Sequence, residues 1–199
     1  MMRRSLPIGA LLLALFTFAA PAGAATQDAA AFISTLGNQA IQVLGPGVPH
    51  AQRVARFRQL FHEDFDVPGI GRFVLGRYWR LATPQEQQDF LKLFQEYIVQ
   101  AYSVRLGEYG GQPFRVTGSR PREDEVVVTS EIIRQNGSRV EIDWYLVDQG
   151  ARYRISDVYV GGVSMKVTQR DEFASIIQRN GGRIEPLLAQ LRQKVTEVQ

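Results

Sequence analysis

The sequence predicts an α+β fold in which helices cover one face of a curved antiparallel sheet of about four strands. Three observations indicate this class. Apolar residues recur at helical spacing up to about residue 109, they alternate with polar residues between residues 114 and 160, and helical spacing returns after residue 170. Gly110-Gly111 marks the first change of period. This order of blocks is typical of a helical layer packed on an antiparallel sheet.

The helical blocks have recognisable ends. The first helix is predicted at residues 27–44, where a Gly-Pro-Gly turn follows, and Pro49 opens the second. A short third helix covers residues 67–75. After the strands, one helix is predicted at residues 170–179 and a last one from near Pro186. These segments supply the layer that covers the sheet.

The long fourth helix has the sharpest start in the chain. Thr83 is placed to cap the amide of Glu86, and Glu86 is placed to return the bond. Pro84 takes the first helical position, where no hydrogen-bond donor is lost. The apolar face that follows is rich in aromatic residues and consists of Phe90, Phe94, Tyr97, Ile98, Ala101 and Tyr102.

The strand region contains two turn signals and one clear alternation. Asn136-Gly137 predicts the turn between the second and third strands. Asp148-Gln149-Gly150 predicts the turn before the fourth. The third strand alternates most regularly between apolar and polar residues. Its apolar side consists of Val140, Ile142, Trp144 and Leu146.

The alternation breaks within the fourth strand. Tyr153 and Ile155 share one face, whereas Val158 and Val160 share the other. One extra residue near Ser156-Asp157 would bring both pairs to the same face. The sequence therefore predicts a bulge there, and such bulges curve a sheet.

A family resemblance rests on three segments. Residues 73–111 combine a Trp/Tyr-rich approach with the capped aromatic helix, and Gly162-Val163-Ser164-Met165 and Gln169-Arg170-Asp171-Glu172-Phe173 follow downstream. Together they resemble the MlaC family of periplasmic phospholipid-binding proteins, over most of the chain. The toluene-tolerance proteins and the hopanoid-associated HpnM proteins look like subgroups of that family. The chain departs from the family pattern at Gly161, where the family often has an acidic residue.

The resemblance implies a function without catalysis. A family member would be a soluble periplasmic carrier that holds a lipid as cargo, with no cofactor, and shuttles it as a monomer. The implied partners are an inner-membrane transporter complex of the ABC type and an outer-membrane lipoprotein/porin complex. The Val-Thr-Gln-Arg run at residues 167–170 favours an alternative, a hopanoid carrier or accessory protein of a hopanoid export system.

The resemblance also implies an NTF2-like fold with an internal apolar cavity. Large apolar side chains at helical spacing are more often core than ligand wall, so their number alone does not distinguish a hollow from a solid interior. The resemblance favours the hollow, and concave apolar space is where small hydrophobic ligands bind. The lipid-binding residues predicted on this basis are Phe94, Ile98, Tyr102, Val128, Ile132, Ile142, Trp144, Val158 and Val160, with Val163 and Met165 near the mouth.

The first 24 residues are predicted to be a cleaved signal peptide. Arg3 and Arg4 form a basic start, residues 8–20 are apolar but too few to span a bilayer, and Ala22-Gly23-Ala24 resembles a cleavage site. Residues 25–199 are then a single lipid-binding domain located in the periplasm. The chain contains no cysteine, so it forms no disulfide and no thiolate metal site.

Charge argues against a nucleic-acid partner. The chain has 23 basic and 20 acidic residues, and Arg3 and Arg4 belong to the predicted leader, which leaves 21 basic residues against 20. Nucleic-acid binding normally requires a clear basic excess on one face. His50 and His62 lie in no metal-binding spacing, so no metal site is expected.

Two alternatives to the carrier stay open at this point. In one, Asp157 is the base of a cavity enzyme, with Tyr102, Tyr153 or Tyr159 as hydrogen-bond donor. The competing interpretation of Asp157 is structural, as a carboxylate that bonds loop amides at the bend. The second alternative is an interaction module whose interior is packed solid. Ser164 lacks the surroundings of a nucleophile, and a role in a turn is expected for it.

Overall fold

A computed structural model describes residues 22–44, 47–107, 110–150 and 152–197. The predicted leader lies outside these residues as far as residue 21. The described part has the α+β architecture predicted from the sequence. Its elements, with a 3₁₀ helix at Gly76–Arg80 between α3 and α4, are α1 (Ala22–Leu44), α2 (His50–Asp64), α3 (Val67–Leu75), α4 (Pro84–Gly107), β1 (Phe114–Arg122), β2 (Glu125–Ile133), β3 (Arg139–Asp148), β4 (Tyr153–Val160), β5 (Val163–Ser164), α5 (Met165–Arg179) and α6 (Glu185–Glu197).

The five strands form one antiparallel sheet in the order β1-β2-β3-β4-β5. Val128 lies opposite Trp144, which lies opposite Val158, so these residues share the face that the helices cover. β5 is the additional strand relative to the four predicted. Its two residues are too few to show a sequence period.

The predicted bulge in β4 is confirmed. Tyr145 pairs with Asp157 and the next residue, Leu146, pairs with Ile155, so Ser156 is the extra residue. The extra residue puts Ile155 on the same face as Val158, although their sequence parity differs. β4 therefore presents apolar side chains to the helices along its whole length.

Side-chain caps define the starts of α4 and α5. The amide of Glu86 donates to the Thr83 hydroxyl at 3.2 Å, and the amide of Thr83 donates to the Glu86 carboxylate at 2.8 Å, which confirms the predicted capping box. α5 begins at Met165 rather than at Arg170 as predicted. The reason is Ser164, whose hydroxyl accepts from the amide of Val167 at 3.1 Å and caps the helix.

The interior formed by the described residues contains two apolar clusters. One lies among the helices, where the rings of Phe90, Phe94 and Phe173 pack with centroids 5.7–6.3 Å apart. The other lies between α1 and the sheet and includes Ile33 and Leu146. Between the two clusters the helices and the sheet do not close completely, and this gap is the candidate site.

Candidate functional site

An apolar cavity of about 270 Å³ lies between the helices and the sheet. α2, α3 and α4 form one wall, β3 and β4 form the opposite wall, and the first residues of α5 complete it. Apolar side chains provide nearly all of the lining. The interior is therefore hollow, in contrast to the solid interior expected of an interaction module.

Most of the predicted lipid-binding residues line this cavity, and three do not. Val128 is fully buried in the cluster under α1, because that helix covers β2 and closes the space there. Ile132 is half-buried near the end of β2 and is not one of the residues that line the cavity. Val163 is 54% exposed. The residues that do line the cavity are Phe94, Ile98, Tyr102, Ile142, Trp144, Val158, Val160 and Met165.

The sequence pattern does not indicate the part of the cavity wall that α2, α3 and Phe65 between them provide. Phe57, Phe61 and Phe65 follow one another at helical spacing, and their neighbouring ring centroids lie 6.0 and 4.9 Å apart. Ile70 and Val74 continue this wall along α3. The spacing of Phe57 and Phe61 indicates an inward face, but spacing alone does not show whether that face meets a core or a hollow.

Asp157 lies in the wall at the bulge and is 3% exposed. Its carboxylate accepts a hydrogen bond from the Ser164 hydroxyl at 2.6 Å. It also accepts from the amides of Val158 at 2.8 Å and Lys166 at 3.1 Å. These bonds connect β4 to the start of α5, as the structural interpretation of Asp157 expects.

The tyrosines considered as partners of Asp157 point elsewhere. The Tyr153 hydroxyl donates to the carbonyl of Ala25 at 2.8 Å, and the Tyr159 ring stacks on Tyr145. The Tyr102 hydroxyl lies 3.7 Å from the sulfur of Met165. Burial raises the pKa of Tyr102 above its usual value, so its hydroxyl stays protonated at neutral pH. No acid–base pair is assembled around Asp157 within the described part of the chain.

Two further features bear on function. Among the described residues, no group of three or more His, Cys, Asp or Glu side chains is placed to hold a metal ion. None of the described helices combines the length and the apolar character needed to cross a bilayer.

The fold and the cavity are those of a small-molecule binding protein with an apolar pocket. The sequence profile of the MlaC protein family matches residues 36–193. The chain therefore belongs to the MlaC family.

Individual relatives agree with this assignment. The chain is 28% identical over 122 residues to the toluene tolerance protein ttg2D of Pseudomonas putida, an alignment covering 60% of this chain and 57% of that protein. It is 24% identical over 132 residues to the intermembrane phospholipid transport system binding protein MlaC of Haemophilus influenzae, covering 64% of this chain and 61% of the other. The chain thus spans about three fifths of the length of these relatives.

A solved structure shows the same fold. The phospholipid-binding protein from Ralstonia solanacearum, determined in complex with a phospholipid, matches with a TM-score of 0.73 and 23% sequence identity. The match covers 86% of this chain and 98% of that protein. At this identity the likeness establishes the architecture.

Proposed function

We propose that this protein is a phospholipid carrier that holds acyl chains in the cavity between its helices and its sheet. The observation that carries the proposal is the apolar cavity of about 270 Å³ in a chain of the MlaC family. The Haemophilus relative named for intermembrane phospholipid transport and the phospholipid complex of the Ralstonia protein support it.

The free energy of burying acyl chains suits a carrier. Burial of one methylene contributes about 0.8 kcal/mol, so a tail of roughly fifteen methylenes contributes on the order of 12 kcal/mol before costs. A lipid held this strongly leaves for water very slowly. Delivery therefore requires docking on membrane complexes, and the proposed partners are an inner-membrane transporter complex and an outer-membrane lipoprotein/porin complex.

The size of the cavity limits how much of a lipid it can hold. A dry apolar cavity of about 150 Å³ binds benzene. The cavity of about 270 Å³ therefore accommodates a segment of an aliphatic chain and not a complete two-tailed lipid. A whole phospholipid therefore fits only if the cavity widens or if the rest of the lipid stays outside it.

The remaining features of the proposal follow from this role. The carrier acts in the periplasm as a monomer after its leader at residues 1–24 is removed. It catalyses no reaction, since Asp157 and Ser164 are engaged in joining β4 to α5. The lipid is cargo and no cofactor is required.

Native mass spectrometry of the mature protein, purified from a periplasmic extract without detergent, tests the proposal. A carrier retains an added mass that matches a phospholipid. An added mass matching a pentacyclic triterpenoid would instead show a hopanoid carrier. A bare protein that also fails to take up phospholipid after delipidation would contradict the proposed function.

A further inference from the structure

Three polar side chains in the cavity wall have their partners within the protein. The carboxylate of Asp157 accepts from one hydroxyl and two amides, as described above. The side-chain amide of Gln169 donates to the carboxylate of Glu172 at 3.0 Å. The indole N–H of Trp144 donates to the Ser130 hydroxyl oxygen at 2.8 Å. Each of these side chains is therefore held by at least one hydrogen bond within the protein.

Lys166 differs from these groups. It lies in the cavity wall at the start of α5, and its ammonium lies 4.9 Å from the centroid of the Phe73 ring. Within the described residues, no carboxylate oxygen lies within 4.0 Å of Lys166 Nζ. An ammonium has three N–H donors. The face of an aromatic ring attracts the positive charge but does not supply a lone pair to accept those hydrogen bonds. The wall therefore presents one positive charge without an ionic partner.

A second cation shares the same ring. The Arg170 guanidinium also lies 4.9 Å from the Phe73 centroid, and its contact with the Asp171 carboxylate is 3.6 Å long between exposed side chains. Lys166 and Arg170 are four residues apart on α5. Like charges at this spacing repel each other and destabilise a helix. A bound anion would remove that repulsion.

We propose that Lys166 binds the phosphate of the lipid head group at the mouth of the cavity, with Arg170 supplying a second positive charge. The inference rests on the proposed carrier function. It goes beyond it by placing the head group beside the start of α5 and by predicting a preference for anionic phospholipids over zwitterionic ones.

The location favours a phosphate that is attached to acyl chains. The ammonium of Lys166 adjoins a wall whose lining is mostly apolar, so one amphipathic molecule can place its acyl chains inside the cavity and its phosphate at Lys166. Charge-assisted hydrogen bonds to phosphate are stronger than neutral ones. A zwitterionic head group brings its own ammonium close to Lys166 and Arg170, and the repulsion between these positive charges weakens binding.

The test compares lipid binding by delipidated wild type, Lys166→Gln and Lys166→Arg. Dioctanoyl-phosphatidylglycerol and dioctanoyl-phosphatidylethanolamine are titrated below their micelle concentrations, with Trp144 fluorescence in a Trp79→Phe background as the signal. Wild type is expected to bind the phosphatidylglycerol roughly three- to tenfold more tightly than the phosphatidylethanolamine, and added salt should reduce this difference. Lys166→Gln should abolish this preference and Lys166→Arg should keep most of it.

Lys194→Gln is the matched control, since Lys194 also lies over an aromatic ring, that of Tyr97, at 5.2 Å, but is absent from the cavity wall. It should bind both lipids like wild type. If Lys166→Gln keeps the preference and its salt dependence, the head-group site is wrong while the carrier function stands. If wild type binds neither lipid, the proposed function itself fails.

A final experiment distinguishes a site for lipid phosphate from a site for free phosphate. Inorganic phosphate is added to wild type at millimolar concentration before the dioctanoyl-phosphatidylglycerol. The head-group site predicts little competition, because free phosphate lacks acyl chains. Strong competition that disappears in Lys166→Gln would show a site for free phosphate and would overturn the assignment to lipid.

Discussion

Ile142 is the residue at which cavity and core are most directly distinguished. It lies on β3 opposite Val160, is 8% exposed and lines the cavity. Replacing it by Trp adds a large ring where the structure has open space. We expect Ile142→Trp to lower the amount of co-purified lipid several-fold while the protein stays folded, at a cost of about 1–3 kcal/mol in the free energy of unfolding. Organic extraction with mass spectrometry and denaturant unfolding measure the two effects.

The control for this substitution adds the same ring elsewhere. Leu81 is 72% exposed and lies outside the cavity wall, so Leu81→Trp should leave lipid content unchanged. Unfolding of Ile142→Trp would mean that Ile142 belongs to a close-packed core. Normal lipid content in a folded Ile142→Trp would place the cargo elsewhere.

At the scale of the element, α4 depends on the cap at its first turn. Thr83→Ala removes the hydroxyl that accepts from the Glu86 amide, and we expect a loss of about 1 kcal/mol in the free energy of unfolding. Gln88, exposed one turn further along, provides the control Gln88→Ala, which should be close to neutral. Urea unfolding of the three proteins measures the difference. Equal stability of Thr83→Ala and wild type would contradict a contribution from the cap.

The same cap predicts a dependence on pH. Hydrogen bonds from Thr83 hold the pKa of Glu86 below its usual value. A carboxyl whose pKa is lowered by folding stabilises the folded state above its unfolded pKa, and the contribution is lost as pH falls through the folded pKa. The stability difference between wild type and Thr83→Ala should therefore shrink in acid. A constant difference from neutral to acidic pH would show that the bond between the Thr83 hydroxyl and Glu86 gains nothing from the charge of Glu86.

The bulge in β4 decides which side chains reach the interior. Deleting Ser156 would restore strict alternation and leave Ile155 two positions from Val158, so Ile155, which is fully buried, would still face the helices. We expect the deletion variant to fold, because β4 keeps the same inward face and loses only the local curvature that the bulge adds. Ser156→Ala keeps the residue count and loses only hydrogen bonds to Glu125 and the Tyr145 carbonyl, so a cost of about 1–2 kcal/mol is expected. Soluble yield and urea unfolding are measured for both variants, and a deletion variant that does not fold would contradict the assignment of Ser156 as the extra residue.

These elements also show what the sequence can predict. The capping box and the bulge are local patterns, and the structure confirms both. The sequence predicts the start of α5 at Arg170, five residues late, because Gly-Val-Ser is typical of a turn, whereas Ser164 caps the helix. The sequence does not identify Phe57 and Phe61 as cavity wall for a different reason. An apolar helical face has the same sequence pattern whether it meets a core or a cavity. That distinction depends on how far α2 lies from β3, which no local pattern encodes.

At the scale of the whole molecule, the cavity separates the helical cluster from the cluster under α1. Walls that face empty space lose dispersion contacts, so the structure without ligand is less stable than its apolar content allows. A ligand that fills the gap restores those contacts and bridges the two clusters. Binding and stability are therefore coupled across the entire domain.

This coupling gives the last prediction. A ligand present at a hundred times its Kd stabilises the folded state by about 2.7 kcal/mol. For a domain of this size each kcal/mol shifts the Tm by about 2–4 °C, so phospholipid added to the delipidated protein should raise the Tm by roughly 5–10 °C. Ile142→Trp should show a much smaller shift, because its ring already occupies the space, whereas Leu81→Trp should respond like wild type. Scanning calorimetry with and without lipid makes the comparison. An unchanged Tm of wild type at saturating lipid would mean that the ligand does not join the two clusters, and that the cavity is not where the cargo binds.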